Sequence, residues 1–217
     1  MKMIKIGKNL SEWSAYSCQP KSNGELNRII KERISKEGPN CDLNDIDVSQ
    51  ITDMSYLFYK SQFNGDISEW NTSNVNTMRF LFYGSDFNAD ISKWNVSNVI
   101  DMYQMFYQSK FNGDISKWDT SNVERTAGMF KFAKFNQDIS KWDTSKVEDM
   151  SYMFFCSWFN QPIGDWDVRN VRNMGFMFKL AEFNQDISKW KRKKDCNTKG
   201  MFIGSVIEKK FKPKSPR

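Results

Sequence analysis

Large apolar side chains recur along this chain with a 24-residue period. Phe63, Phe87, Phe111, Phe135, Phe159 and Phe183 form one series, and Trp70, Trp94, Trp118, Trp142, Trp166 and Trp190 a second. Ile51, Val75, Val99, Val123, Val147 and Val171 keep the same step, as do Phe58, Phe82, Phe106, Phe130, Phe154, Phe178 and Phe202. Polar residues fill the intervening positions, and no insertion interrupts the series. A strict period of this length marks a repeat architecture, in which each unit covers the apolar face of its neighbour and no unit is stable alone.

Within one unit the pattern changes character. Val99, Met102, Met105 and Phe106 stand at i, i+3, i+6 and i+7, the spacing of one helix face. Ser73, Ser97, Ser121 and Ser145 precede that face, and Glu124 and Glu148 follow two of them by three residues, the arrangement of a capping box. In the other half, Ile91 lies between Asp90 and Ser92, the alternation of a strand buried on one side. The unit therefore reads as strand, turn, helix, turn, with right-handed crossovers.

The consensus F-N-x-D-I-S-x-W-[DN]-[TV]-S-N-V-x-x-M-x-x-[ML]-F resembles the BspA-like leucine-rich-repeat proteins of bacteria over residues 39–202. The lead-in from Leu26 to Gly38 is similar to the segment preceding such arrays. The resemblance implies an α/β repeat solenoid of leucine-rich-repeat type, with a short parallel sheet on one side and helices on the other. It also implies a binding role, surface adhesion in many members.

Three segments follow. Residues 1–38 form an N-terminal segment with a capping helix, carried by Leu26, Ile29, Ile30, Arg33 and Ile34 and stopped at Gly38-Pro39. Residues 39–202 hold about seven rungs, the terminal ones degenerate, with Leu43 in the Ile91 column and Ile46 in the Trp94 column. Residues 203–217 read as a basic tail, with Val206 and Ile207 extending the last helix and the stretch from Lys209 left loose by Pro213 and Pro216.

Charge divides the chain in the same way. Residues 1–38 carry eight Lys/Arg against four Glu, residues 39–190 fourteen basic against twenty acidic side chains, and residues 191–217 ten basic against two acidic. The net charge of +6 thus belongs to the ends, and the repeats are mildly acidic. There is no histidine, which removes the commonest general base and the commonest zinc ligand. The four cysteines form no C-x-x-C pair and read as free thiols in a reducing compartment. No apolar run approaches the roughly 20 residues of a membrane helix. The start, Met1 to Lys8, has no apolar core of an export signal, so a cytoplasmic location is expected.

Repetition also decides how to read the polar columns. A catalytic site is normally unique, whereas Asp66, Asp90, Asp114, Asp138 and Asp186 recur in register, as turn aspartates that accept backbone N–H groups would. Stacked Asn and Trp columns read in the same way, as satisfied turns and core. No catalytic residue, cofactor or metal is expected. Information for a partner lies in columns that vary between units. These contain Lys93, Lys117 and Lys141 beside the strand, Arg79 and Tyr103 on the helices, and Trp158 next to Phe155 in the helix-to-strand turn. The basic cluster Lys191, Arg192, Lys193 and Lys194 is suited to phosphate contact, in nucleic acid or a ribonucleoprotein.

The function expected is non-enzymatic binding of another protein by a monomeric repeat domain with no membrane attachment. Alternatives are a small intracellular inhibitor from a phage or mobile element, docking on a host protein or nucleoprotein complex, and a surface adhesin.

Overall fold

The computed structural model describes residues 16–214. The export-signal reading of Met1 to Lys8 and the last residues of the expected tail, including Pro216, lie outside them. A single α-helix, α1 (Asn23–Glu37), is followed by a coil of stacked rungs and a short 3-10 helix, Lys209–Phe211.

Helix α1 forms where its capping residues put it. The Ser22 hydroxyl accepts the Glu25 N–H at 3.2 Å, and Glu25 returns a carboxylate to the Lys21 N–H. Gly38 ends it at φ +91°, donating its N–H to the Ile34 carbonyl. Leu26 and Ile30 are buried, and Ile29 and Ile34 pack beside them. Arg33 ties the helix to the first rung through both carboxylate oxygens of Asp45, at 3.0 Å.

Beyond α1 the expected α/β solenoid is not what forms. The rungs contain no helix and no sheet; they are turns joined by isolated parallel bridges. Those bridges fall one per rung at Asp53, Thr77, Asp101, Arg125, Asp149, Asn173 and Asn197, each one repeat beyond the last. The bridge column is not the Ile91 column in which a strand was expected.

The segment read as a helix is a string of overlapping turns. Met78, Phe80 and Phe82 accept through their carbonyls from the N–H groups of Leu81, Tyr83 and Ser85. Phe80 and Gly84 take φ +56° and +60°, as the third residue of a type II turn must. The same positive φ recurs at Tyr56 and Lys60, Gln104 and Gln108, Tyr152 and Cys156, and Phe176 and Leu180. The remaining N–H groups do not turn back along the chain as in a helix. Those of Met78, Phe80, Phe82 and Gly84 donate to Asp101, Tyr103, Met105 and Tyr107 in the next rung, at 2.7–3.0 Å.

Rung spacing explains the outcome. Phe58 and Phe82 stack with centroids 5.4 Å apart, Phe82 and Phe106 5.6 Å, and Phe63 and Phe87, in the other half of the rung, 6.1 Å. The two halves rise by nearly the same step. A helix needs about 10 Å of width, so helices on one side would force that side to splay, and it does not. A string of turns is one chain thick and fits.

The capping boxes dissolve for the same reason. The N–H of Ser97 goes to Asn95 and that of Ser121 to Asp119, as Asx turns, while the N–H groups of Glu124 and Glu148 reach the preceding rung at Ile100 and Glu124.

The other half of each rung is knitted by side chains in place of a backbone ladder. Each Trp indole donates to a carbonyl one rung back: Trp70 to Leu43, Trp94 to Ile67, Trp142 to Ile115, Trp190 to Ile163, at 2.9–3.0 Å. Asn64, Asn88, Asn112, Asn136 and Asn160 each accept, through the amide oxygen, the backbone N–H of the next asparagine at 2.7–2.8 Å. Asn74 and Asn98 donate back to Ser49 and Ser73. With these bonds made by indoles and amides, no continuous strand pairing forms. The Phe and Trp columns fill the interior: Phe58, Phe63 and their equivalents as far as Phe178 and Phe183 are fully buried, and Trp70 and its equivalents nearly so.

At the C-terminal end the rungs run past residue 202. Ile207 is buried in the Phe183 column, and Glu208 donates its N–H to Asn184, continuing the asparagine ladder. The Ile187 N–H donates to Phe211, so Lys209–Phe211 is an added half-rung, not a loose stretch. Val206 is exposed and continues no helix.

Candidate functional site

The turn strings leave a face that the core does not use. In the alternating conformation, Met78, Leu81 and Phe82 point inward and are buried, while Arg79, Phe80 and Tyr83 stay at the surface. Stacking the rungs in register turns these outward positions into columns of aromatic and cationic side chains.

Arg79 and Tyr103, expected from sequence to share a surface, do meet. The Arg79 guanidinium lies 5.7 Å from the Tyr103 ring, and Arg125 closes on the same ring from the next rung at 4.2 Å. Asp101 stands between the two arginines, 3.7 Å from each. Its other carboxylate oxygen accepts the Tyr103 N–H at 2.8 Å, fixing the local turn. Two cations thus share one carboxylate and one ring, which leaves a net positive charge at the surface.

Phe155 belongs to a second cluster. The Lys131 ammonium sits among four rings, 4.6 Å from Tyr152, 4.8 Å from Phe155, 5.3 Å from Phe132 and 5.7 Å from Tyr107. Phe132 meets Phe155 edge to face at 5.3 Å. Burial among these rings holds the Lys131 ammonium below the ordinary lysine range. Tyr56, Tyr59 and Tyr83 extend the aromatic surface toward α1, with Tyr83 and Tyr107 stacked at 4.2 Å. Tyr56, Tyr59, Phe132 and Tyr152 are all exposed.

Trp158 is 58% exposed, and Lys134 lies over its ring at 4.7 Å. It occupies the turn that leaves the string. Lys93, Lys117 and Lys141 are exposed on the indole half of the rung, and Lys93 pairs with Glu69 at 3.0 Å. No contact joins those lysines to Arg79, Tyr103 or Phe155 among the described residues, so the sequence candidates divide into separate surfaces. Lys191, Arg192, Lys193 and Lys194 lie at the C-terminal end, and none of them forms an ion pair among the described residues.

Arg125, Lys131, Tyr107, Phe132 and Tyr152 were not singled out from sequence. Their signal was present: the column Tyr59, Tyr83, Tyr107, Lys131, Phe155, Lys179, Ile203 mixes aromatic and cationic residues. Read as a helix, that column has no defined relation to Phe132 or Tyr152.

The aspartate column behaves as turn chemistry. Asp66, Asp90, Asp114, Asp138 and Asp186 each accept the N–H of the serine two residues on, at 2.8–2.9 Å. For Asp90, Asp114 and Asp138 that backbone bond is the chief reason the carboxylate is held below its usual range. Among the described residues no three Cys, Asp or Glu side chains converge as a metal site would require, and no helix is long and apolar enough to cross a membrane.

A family model described as a Mycoplasma protein of unknown function, DUF285, matches residues 30–137 and 128–212. The chain belongs to that family. No curated protein and no solved structure matches it.

Proposed function

We propose that this protein is a non-enzymatic binding module that holds another protein against its turn face. The observation that carries the reading is the contrast between columns. Buried columns repeat Phe, Met, Ile and Trp nearly without change, whereas the outward columns of the turn strings vary from rung to rung and concentrate aromatic and cationic groups. Arg, Tyr and Phe side chains held by neighbours lose little freedom on binding, and such residues anchor interfaces. An exposed surface of this composition, on a rigid frame of interlocked rungs, favours protein recognition over catalysis, because its charged groups are spread over several rungs and do not converge on one pocket.

The test is capture from an extract of the native host, with nuclease-treated and untreated arms. Wild-type protein is compared with Arg79→Ala/Tyr103→Ala, with Phe155→Ala, and with Lys117→Ala on the indole half. A partner retained by wild type and Lys117→Ala, lost by both turn-face variants, and insensitive to nuclease supports the reading. A partner lost only on nuclease treatment overturns it in favour of nucleoprotein binding.

A further inference from the structure

The ladder between turn strings has a direction. At every junction four alternate N–H groups of the turn string point toward the C-terminal end and meet carbonyls of the next rung, as in Met174 to Asn197, Phe176 to Lys199, Phe178 to Met201 and Leu180 to Ile203, at 2.7–2.9 Å, while N–H groups flanking the string, such as those of Glu182 and Asn197, bond to the rung before. The last rung repeats the geometry, with Gly200 and Gly204 at φ +64° and +67° and the same overlapping turns from Thr198 to Ser205. Its equivalent donors, the N–H groups of Thr198, Gly200, Phe202 and Gly204, have no acceptor among the described residues. They form a row of parallel donors at the end of four columns of aligned hydrogen bonds. By the logic that makes a helix N-terminus electropositive, this row of unmatched N–H groups is locally electropositive.

The opposite end is treated differently. There the Asn23 side-chain amide, at the start of α1, donates to the carbonyls of both Asp53 and Ser55, at 3.1 and 3.0 Å. Two of the four acceptors at that end are thus capped, whereas none of the four donors at the other end has a partner among the described residues. A second copy adding head to tail would have to displace its own Asn23 from Asp53 and Ser55.

The surroundings of the open row say what would fit. A recess of about 340 Å³ is lined by Arg192, Thr198, Gly200, Phe202, Ile203 and Pro213. Ile203 is 55% exposed, and Phe202 ends the central phenylalanine stack, 5.9 Å from Phe178. Lys212 lies over the Phe202 ring at 5.3 Å, Lys199 is exposed within the row, and no carboxylate lines the recess.

We infer that the C-terminal end of the stack is a docking edge for an extended acidic segment of a partner polypeptide, which adds as one more rung. Its alternate carbonyls accept the four N–H groups, its apolar side chains cover Phe202 and Ile203, and its carboxylates face Arg192, Lys199 and Lys212. Such addition draws affinity from the main chain and specificity from charge and pockets. A polypeptide is favoured over nucleic acid because the donors are spaced for alternate peptide carbonyls and stand beside apolar side chains. Lys199 and Ile203 end columns of the turn face, but the row of donors lies at the end of the stack and is read out at its own amides, whereas the turn-face proposal is tested at Arg79, Tyr103 and Phe155, so either proposal can fail alone.

The experiment uses the full chain, isotope-labelled for amide spectroscopy. The probe is an acetylated, amidated peptide copying residues 147–157, with serine in place of Cys156. The expected result is saturable perturbation and slowed exchange of the Thr198, Gly200, Phe202 and Gly204 amides. A peptide with Gln and Asn in place of Glu148 and Asp149 should bind several-fold more weakly. The Arg192→Glu/Lys199→Glu/Lys212→Glu variant, its fold checked by the unchanged spectrum of the inner rungs, should lose at least tenfold in affinity. Perturbation confined to other amides overturns the proposal. So does tighter binding of a ten-nucleotide oligothymidylate than of the acidic peptide at the same amides. Head-to-tail assembly of the wild-type chain in sedimentation, enhanced by Asn23→Ala, would assign the edge to a second copy and overturn it as well.

Discussion

The indole N–H of Trp118 donates to the carbonyl of Ile91, a residue 27 positions earlier in the chain and one rung back, at 3.2 Å. The ring also stacks on Trp142 at 6.5 Å. One side chain therefore fills the core and supplies a bond that would otherwise come from a backbone ladder.

Trp118→Phe should keep most of the packing and leave the Ile91 carbonyl with the Trp94 N–H as its remaining donor, at 3.1 Å. A loss of about 0.5–1.5 kcal/mol is expected. Trp118→Ser adds a cavity and should cost roughly 3–5 kcal/mol. Denaturant melts of the two variants separate the bond from the packing. An unchanged stability of Trp118→Phe would show that the indole N–H contributes nothing.

Gln108 sits at φ +52° in a turn string, a conformation that favours glycine. Left-handed backbone costs an ordinary residue about 1–2 kcal/mol. Gln108→Gly should therefore raise the melting temperature or leave it unchanged, whereas a β-branched Gln108→Val should lower it. In a helix the glycine would instead destabilise by about 1 kcal/mol. The thermal melt of Gln108→Gly separates the two backbones, since a lowered melting temperature would point to a helix; Gln108→Val should lower it in either.

Asp90, Asp114 and Asp138 are held below the usual carboxylate range in the folded chain, chiefly by the N–H groups of Ser92, Ser116 and Ser140. A lowered folded value stabilises above the unfolded carboxylate range and is lost as pH falls through the folded one. The melting temperature should be level above about pH 5 and decline below about pH 4. Asp90→Asn/Asp114→Asn/Asp138→Asn should make that decline shallower. The difference will be modest, since these groups are exposed and solvent screens them. A profile identical to wild type would show that the column has no linkage to folding.

Much of this protein was legible in its pattern. The fixed step assigned the Phe, Trp, Ile and Val columns to the interior, because a large apolar side chain repeated in every rung is kept when every rung buries it. Helix α1 could be read from the spacing of Leu26, Ile29, Ile30 and Ile34 and the stop at Gly38, since a single short helix is specified by residues within it. Arg79, Tyr103 and Phe155 could be picked out because their columns vary.

Tertiary structure decided the rest. Val99, Met102, Met105 and Phe106 satisfy helical spacing, yet the same inward positions are met by overlapping turns, so local pattern cannot choose between them. The choice falls to neighbours one repeat away. Rungs 5.4–5.9 Å apart exclude a helix and receive the N–H groups that a helix would have used internally. The meeting of Lys131 with Tyr107, Tyr152 and Phe155, and the row of unmatched donors from Thr198 to Gly204, follow from that backbone. They depend on which residues point outward and which way the N–H groups face, and both are fixed only when one rung lies on the next.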